Sequence, residues 1–307
     1  MAMVKTLAGI VAVLLPFFCF GLDLAGAEQK IAVTVSIQPQ KYFVQRVGGD
    51  LVDITVMVPA GASPHSYEPK PQQMVALAKS KIYFAMGVNF EQAWLDKLSA
   101  ASPKMLVAYT AAGIQKRFMA RHTHSHEESE AEHHGHSESA DSEHGGTDPH
   151  IWLSPPLVML QAHNILTGLI QVDPENREIY EVNYRNFIVE LVDLDKKIRD
   201  LFWRKGKGLK FMVFHPAWGY FADAYGLQQV PVEIEGKEPK ARDLRHLIEL
   251  AGQTGIGVLF VQPQFSARSA QTIADEIGGR VVAADPLAVD WQNNLLHVAE
   301  AIAAAAK

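Results

Sequence analysis

The sequence predicts an α/β protein of two lobes, each with a mainly parallel four-stranded sheet, joined by one long rigid helix. Three observations predict it. Short β-branched runs alternate with amphipathic stretches from end to end, and the second half of the chain repeats the scheme of the first. Between the halves lies a single helical pattern with no Gly or Pro inside it.

Residues 1–27 read as an export signal: Lys5 supplies a positive start, 7–20 is apolar, and Ala25-Gly26-Ala27 offers the small-residue cleavage pattern. The apolar stretch is shorter than the ~20 residues of a membrane-spanning helix. Export places the mature chain, from near Glu28, in the periplasm. Cys19, the sole cysteine, lies inside this signal, where Pro16 and Phe18 argue against a lipoprotein. The mature chain would carry no thiol, so a metal must be held by His, Asp or Glu.

The remaining length is enough for two compact lobes with a core each. The first spans 28–172, the linking helix 173–205, and the second lobe 206–307. In the first lobe, 31–35, 54–58, 82–86 and 105–109 read as strands, and 39–47, 71–79 and 90–98 as helices, with Pro71 suited to a first helical turn. In the second, the strands are 211–214, 229–232, 258–261 and 280–283. Its helices are 216–225, 239–253, 267–277 with Ser266 as N-cap, and 291–305. Asp173-Pro174 reads as an N-cap and first helical residue opening 174–203, a rod of about 45 Å at 1.5 Å per residue.

One segment fits none of this. Residues 121–147 are His, Glu, Ser and Gly with almost no apolar side chains, which predicts a disordered loop. Its seven histidines, His122, His124, His126, His133, His134, His136 and His144, could take metal weakly and act as an antenna for scarce zinc or for transfer from another zinc carrier. A solvated spacer is the other reading. This acidic stretch carries the net charge of −6, leaving no basic face for nucleic acid.

Four residues stand where ligands gather in open α/β sheets, beyond strand ends or at Pro-rich turns. His65 sits in Pro64-His65-Ser66-Tyr67-Glu68-Pro69, after the second strand. His150 lies in Asp148-Pro149-His150-Ile151-Trp152-Leu153-Ser154-Pro155, at the start of the interlobe region. His215 opens His215-Pro216-Ala217-Trp218-Gly219-Tyr220-Phe221, and Asp285 lies in Ala284-Asp285-Pro286-Leu287. Taken singly, each could be a hydrogen-bonded turn residue. Together, three imidazoles and a carboxylate suit Zn²⁺. Tyr67, Trp152 and Trp218 flank the set as a possible apolar surround. His163, His246 and His297 sit in helical stretches as surface or core residues.

Over nearly all of the mature chain these motifs, with Glu235-Gly236-Lys237-Glu238-Pro239 and Gln262-Pro263-Gln264-Phe265-Ser266, resemble the substrate-binding proteins of ABC transporters for zinc and manganese. The resemblance implies two α/β lobes on a long helix, with His65, His150, His215 and Asp285 as ligands in the interlobe cleft. In that family the group that completes the site varies, and in some members it is a water rather than the carboxylate at Asp285. It also implies a monomer that hands its ion to a membrane permease and catalyses nothing. Manganese members tend to carry Glu in place of His215, so this chain resembles the zinc branch. The rival expectations are a manganese or iron protein of the same fold, a secreted zinc hydrolase, and an adhesin or metal buffer acting through the His-rich segment.

Overall fold

The computed structural model describes residues 30–119, 146–203, 205–206, 208–233, 240–263 and 267–305. The expected export signal, the seven histidines of the 121–147 segment, residues 235–238 and Ser266 lie outside the described residues.

The first lobe runs β1 (Ile31–Val35), α1 (Gln38–Gly48), β2 (Val52–Val56), α2 (Pro71–Leu77), β3 (Ile82–Ala85), α3 (Asn89–Ala101), β4 (Leu106–Tyr109) and α4 (Pro155–Val172). The linking helix α5 is Arg177–Trp203. The second lobe runs β5 (Lys210–Val213), α6 (Gly219–Tyr225), β6 (Gln228–Pro231), α7 (Ala241–Thr254), β7 (Val258–Val261), α8 (Ala267–Glu276), β8 (Arg280–Ala283) and α9 (Trp291–Ala305). Strand orders are β2-β1-β3-β4 and β6-β5-β7-β8, and every pairing is parallel. The fold is thus the expected one, in two copies of one topology. The central strands are buried without alternation, as successive Val33, Thr34 and Val35 and successive Tyr83 and Phe84 are fully buried, because helices cover both faces of a parallel sheet.

Helix α5 buries Tyr180, Phe187, Leu191, Leu194, Ile198 and Phe202, a stripe at helical period. The start differs from the reading. Residues Pro174–Asn176 form a 3-10 turn, and the Asp173 carboxylate accepts from the Asn176 amide (2.8 Å) and the Tyr180 hydroxyl (2.7 Å) rather than from a backbone N–H. Helix α6 is also shorter than expected, because Pro216-Ala217-Trp218 is consumed in the turn behind His215.

Two helices join the lobes. Besides α5, helix α9 leaves the second lobe and packs on the first, with Trp291 edge-on to Phe43 at 5.0 Å and the Tyr42 hydroxyl donating to Gln292 at 3.1 Å. One hydrophobic core therefore runs through both lobes. A smaller one, with Met212, Phe214, Leu247 and Leu259, lies within the second. Helix α4 seats on β3 at Gly168, where a Cβ would meet Phe84 at 2.7 Å and Ile82 at 2.9 Å.

Candidate metal centre

The lobes face each other across the carboxyl ends of their strands. His65 comes from the loop between β2 and α2, and His215 follows β5. His150 immediately precedes a 3-10 turn, Ile151–Leu153, that leads into α4. The structure brings these three together: one potential donor atom from each lies within 4.8 Å of the others. Ring centroids are 5.4 Å apart for His65 and His215, and 5.3 Å for His150 and His215. Tetrahedral Zn–N bonds place nitrogens roughly 3.3 Å apart, so gripping an ion needs only a small contraction.

Carboxylates stand behind two of the three rings. Asp148 Oδ1 accepts from the His150 backbone N–H at 2.9 Å and pairs with its Nδ1 at 2.7 Å. Glu233, just past β6, pairs with His215 Nδ1 at 2.5 Å. Both acids are buried. An ionised carboxylate can only accept, so Nδ1 carries the proton and Nε2 becomes the lone-pair nitrogen, the arrangement a metal requires.

The electrostatics favour the neutral ring at His65 and His150. Burial lowers the pKa of His150, with the His215 ring adding to the fall and Asp148 opposing it. Desolvation at the cleft rim, then the His215 and His150 rings, push His65 down to about 4, although the residue as a whole is exposed.

The cavity between the rings measures about 40 Å³ and is walled by Pro64, Trp152, Gln262, Pro286 and Leu287. It has room for an ion between the three rings. Trp152 lies 5.1 Å from the His150 ring, and its indole donates to Pro286 O at 2.6 Å, tying the lobes together under the cleft. Trp152 thus forms part of the expected apolar surround. Trp218 and Tyr67 do not line the cavity: Trp218 packs on Phe221, and Tyr67 bonds Gln73.

Asp285 stands outside the converging donors. Its Oδ1 accepts from Leu287 N–H at 2.9 Å and its carbonyl from Asn294 at 2.8 Å, while the next two residues wall the cavity. His163, His246 and His297 lie on α4, α7 and α9, apart from the cluster. Sequence reasoning assigned no role to Asp148 or Glu233. The available signals were an acid two residues before His150 and an acid directly after a strand.

The profile of the family described as zinc-uptake complex component A, periplasmic, matches residues 33–305. The high-affinity zinc uptake system protein ZnuA of Bacillus subtilis is 30% identical over 253 residues, covering 82% of this chain and 76% of that one. The manganese ABC transporter substrate-binding lipoprotein PsaA of Streptococcus anginosus is 28% identical over 261 residues, covering 82% and 78%. The zinc-binding protein AdcA of Streptococcus pyogenes is 28% identical over 278 residues, and the chain spans about half of its length, 54%. A crystal structure of ZnuA superposes with a TM-score of 0.80 at 42% identity, covering 91% of this chain and all of that one. A zinc-bound deletion variant of ZnuA gives 0.79, again at 42% identity, covering 91% and 99%. The chain belongs to the zinc-uptake complex component A family of ABC-transporter substrate-binding proteins.

Proposed function

We propose that this protein captures one Zn²⁺ in the periplasm through His65, His150 and His215 and delivers it to the permease of an ABC importer. The observation that carries the reading is the convergence of three imidazoles from two lobes, two of them backed by buried carboxylates. Imidazole suits zinc better than manganese, which prefers oxygen. Asp285, beside the cavity, supplies the fourth ligand by giving up its bond to Leu287, and a water takes that place where it does not. The bound ion is cargo. The hydrolase reading gains nothing from the carboxylates behind the rings, because Asp148 and Glu233 are each paired with a histidine Nδ1. Among the described residues no helix is long and apolar enough to cross a membrane.

Titration calorimetry under chelator competition tests the centre. His65→Ala, His150→Ala and His215→Ala each weaken zinc binding strongly, and Asp285→Ala less so. Wild-type affinity in His150→Ala or His215→Ala overturns the reading.

A further inference from the structure

The stem of the His-rich segment is built into the metal centre. Phe118 and Thr147 form an antiparallel bridge, Met119 N–H donates to Gly146 O at 3.1 Å, and Asp148 N–H donates to Arg117 O at 2.8 Å. Asp148 is therefore both the last residue of this ribbon and the partner of His150. Its side chain is 1% exposed, and Oδ2 has no hydrogen-bond partner among the described residues. An isolated buried carboxylate is costly. The Arg117 guanidinium offsets it, with Nε 3.9 Å from Oδ2.

Arg117 also reaches the other lobe. Its Nη1 donates to Asp223 on α6 at 2.7 Å, and its backbone N–H donates to the Tyr220 hydroxyl at 2.9 Å. That hydroxyl donates in turn to Asp148 O at 3.0 Å. Helix α6 comes so close that a Cβ on Gly219 would lie 2.6 Å from Arg117 Nη1 and 3.0 Å from Asp148 Oδ2. His150 belongs to one lobe and His215 to the other, so a strap across this junction sits where the two halves of the centre must be held in register.

We propose that Arg117 is a positioning residue of the metal centre. It holds the Asp148 carboxylate on His150 Nδ1, and its pair with Asp223 ties that hold to the second lobe. The proposal rests on the three-histidine reading. Lys116 is a second cation that interacts with Asp148, but its ammonium is bound to Met86 O at 3.1 Å. Without Arg117 the buried Oδ2 therefore loses its ion-pair partner and the carboxylate turns away from the ring. His150 then loses the contact that fixes its Nε2 toward the ion.

The test uses the full mature protein with Arg117→Gln, Arg117→Lys and Gly219→Ala. Zinc affinity is read by chelator competition, and the His150 tautomer by ring ¹⁵N shifts of the zinc-free protein. Arg117→Gln should lose about 2- to 30-fold in affinity, the range for residues that act through a neighbour, and should mix the His150 tautomers. Arg117→Lys, which keeps a cation, should recover most of both. Gly219→Ala keeps every charge and adds a better helix former, yet its methyl displaces the guanidinium, so it should resemble Arg117→Gln. Wild-type affinity and tautomer in Arg117→Gln overturn the proposal. So does weaker binding with an unchanged tautomer, which would make the strap merely structural. Wild-type zinc affinity in His150→Ala would strike the three-histidine reading instead, and the tautomer readout would still judge the strap.

Discussion

Glu233 Oε1 lies 2.5 Å from Nδ1 of His215, at the buried back of the ring. The pair links the ends of two adjacent strands, β5 and β6, so sheet pairing itself fixes the ring. Glu233→Gln removes the charge and offers an amide that can donate as well as accept, loosening the choice of tautomer. Zinc affinity should fall by roughly 10- to 100-fold, the usual cost of losing such a partner, with the fold unchanged by circular dichroism. Retention of full affinity would show that His215 needs no carboxylate behind it.

Burial also makes the centre pH-sensitive in a defined direction. The pKa of His150 is lowered on folding, and that of His65 falls to about 4. Below about 6.5 the unfolded chain binds protons that the folded one refuses, so stability falls as pH falls. For His65 the loss continues down to about 4. Urea unfolding of the zinc-free protein between pH 7.5 and pH 4 should show declining stability, and His150→Gln should flatten part of the slope. An unchanged slope would mean that His150 is not held neutral.

The lobes are fixed by more than α5. Trp152 Nε1 donates across the junction to Pro286 O at 2.6 Å, and Trp291 Nε1 donates back to Trp152 O at 2.8 Å. With α9 also packed on the first lobe, wide hinge closure would break a shared core. Small-angle scattering should therefore give the same radius of gyration with and without zinc, within error. Trp152→Phe orphans the Pro286 carbonyl and should lower stability by about 1–3 kcal/mol, read as a shifted urea midpoint. A clear contraction of the native protein on zinc addition would refute the rigid junction.

What was legible in the sequence follows from periodicity. Phe84 and Leu259 sit in unbroken apolar runs because both sheets are covered on both faces, and α5 shows its stripe because only one face is buried. Helix α4, expected only as a helical stretch around His163, packs against both the first sheet and α5. The three histidines were legible as strand-end and turn residues. Asp148 and Glu233 were not, because an acid's burial and its ring partner arise only when separate loops meet. Asp285 has the same strand-end placement as His215, yet its side chain caps its own turn, which spacing cannot reveal.

The stem geometry separates the cleft from the His-rich segment. Since Phe118 and Thr147 are bridged and Met119 bonds Gly146, the ribbon is already closed before residue 120 and after residue 145. Residues 120–145 can then be replaced by a two-residue Asn-Gly turn, which matches the twist of an antiparallel ribbon. Arg117, Asp148 and their partners keep their places, so one tight zinc equivalent should survive with affinity unchanged. Weak additional equivalents should vanish, because the replaced residues carry all seven histidines of the His-rich stretch. If the segment gathers scarce zinc, capture from a competing chelator should slow while equilibrium binding stays put. Calorimetry paired with stopped-flow capture separates these. Loss of the tight equivalent would move the primary site out of the cleft. An unchanged total stoichiometry would instead make the segment a spacer between two strands that need none.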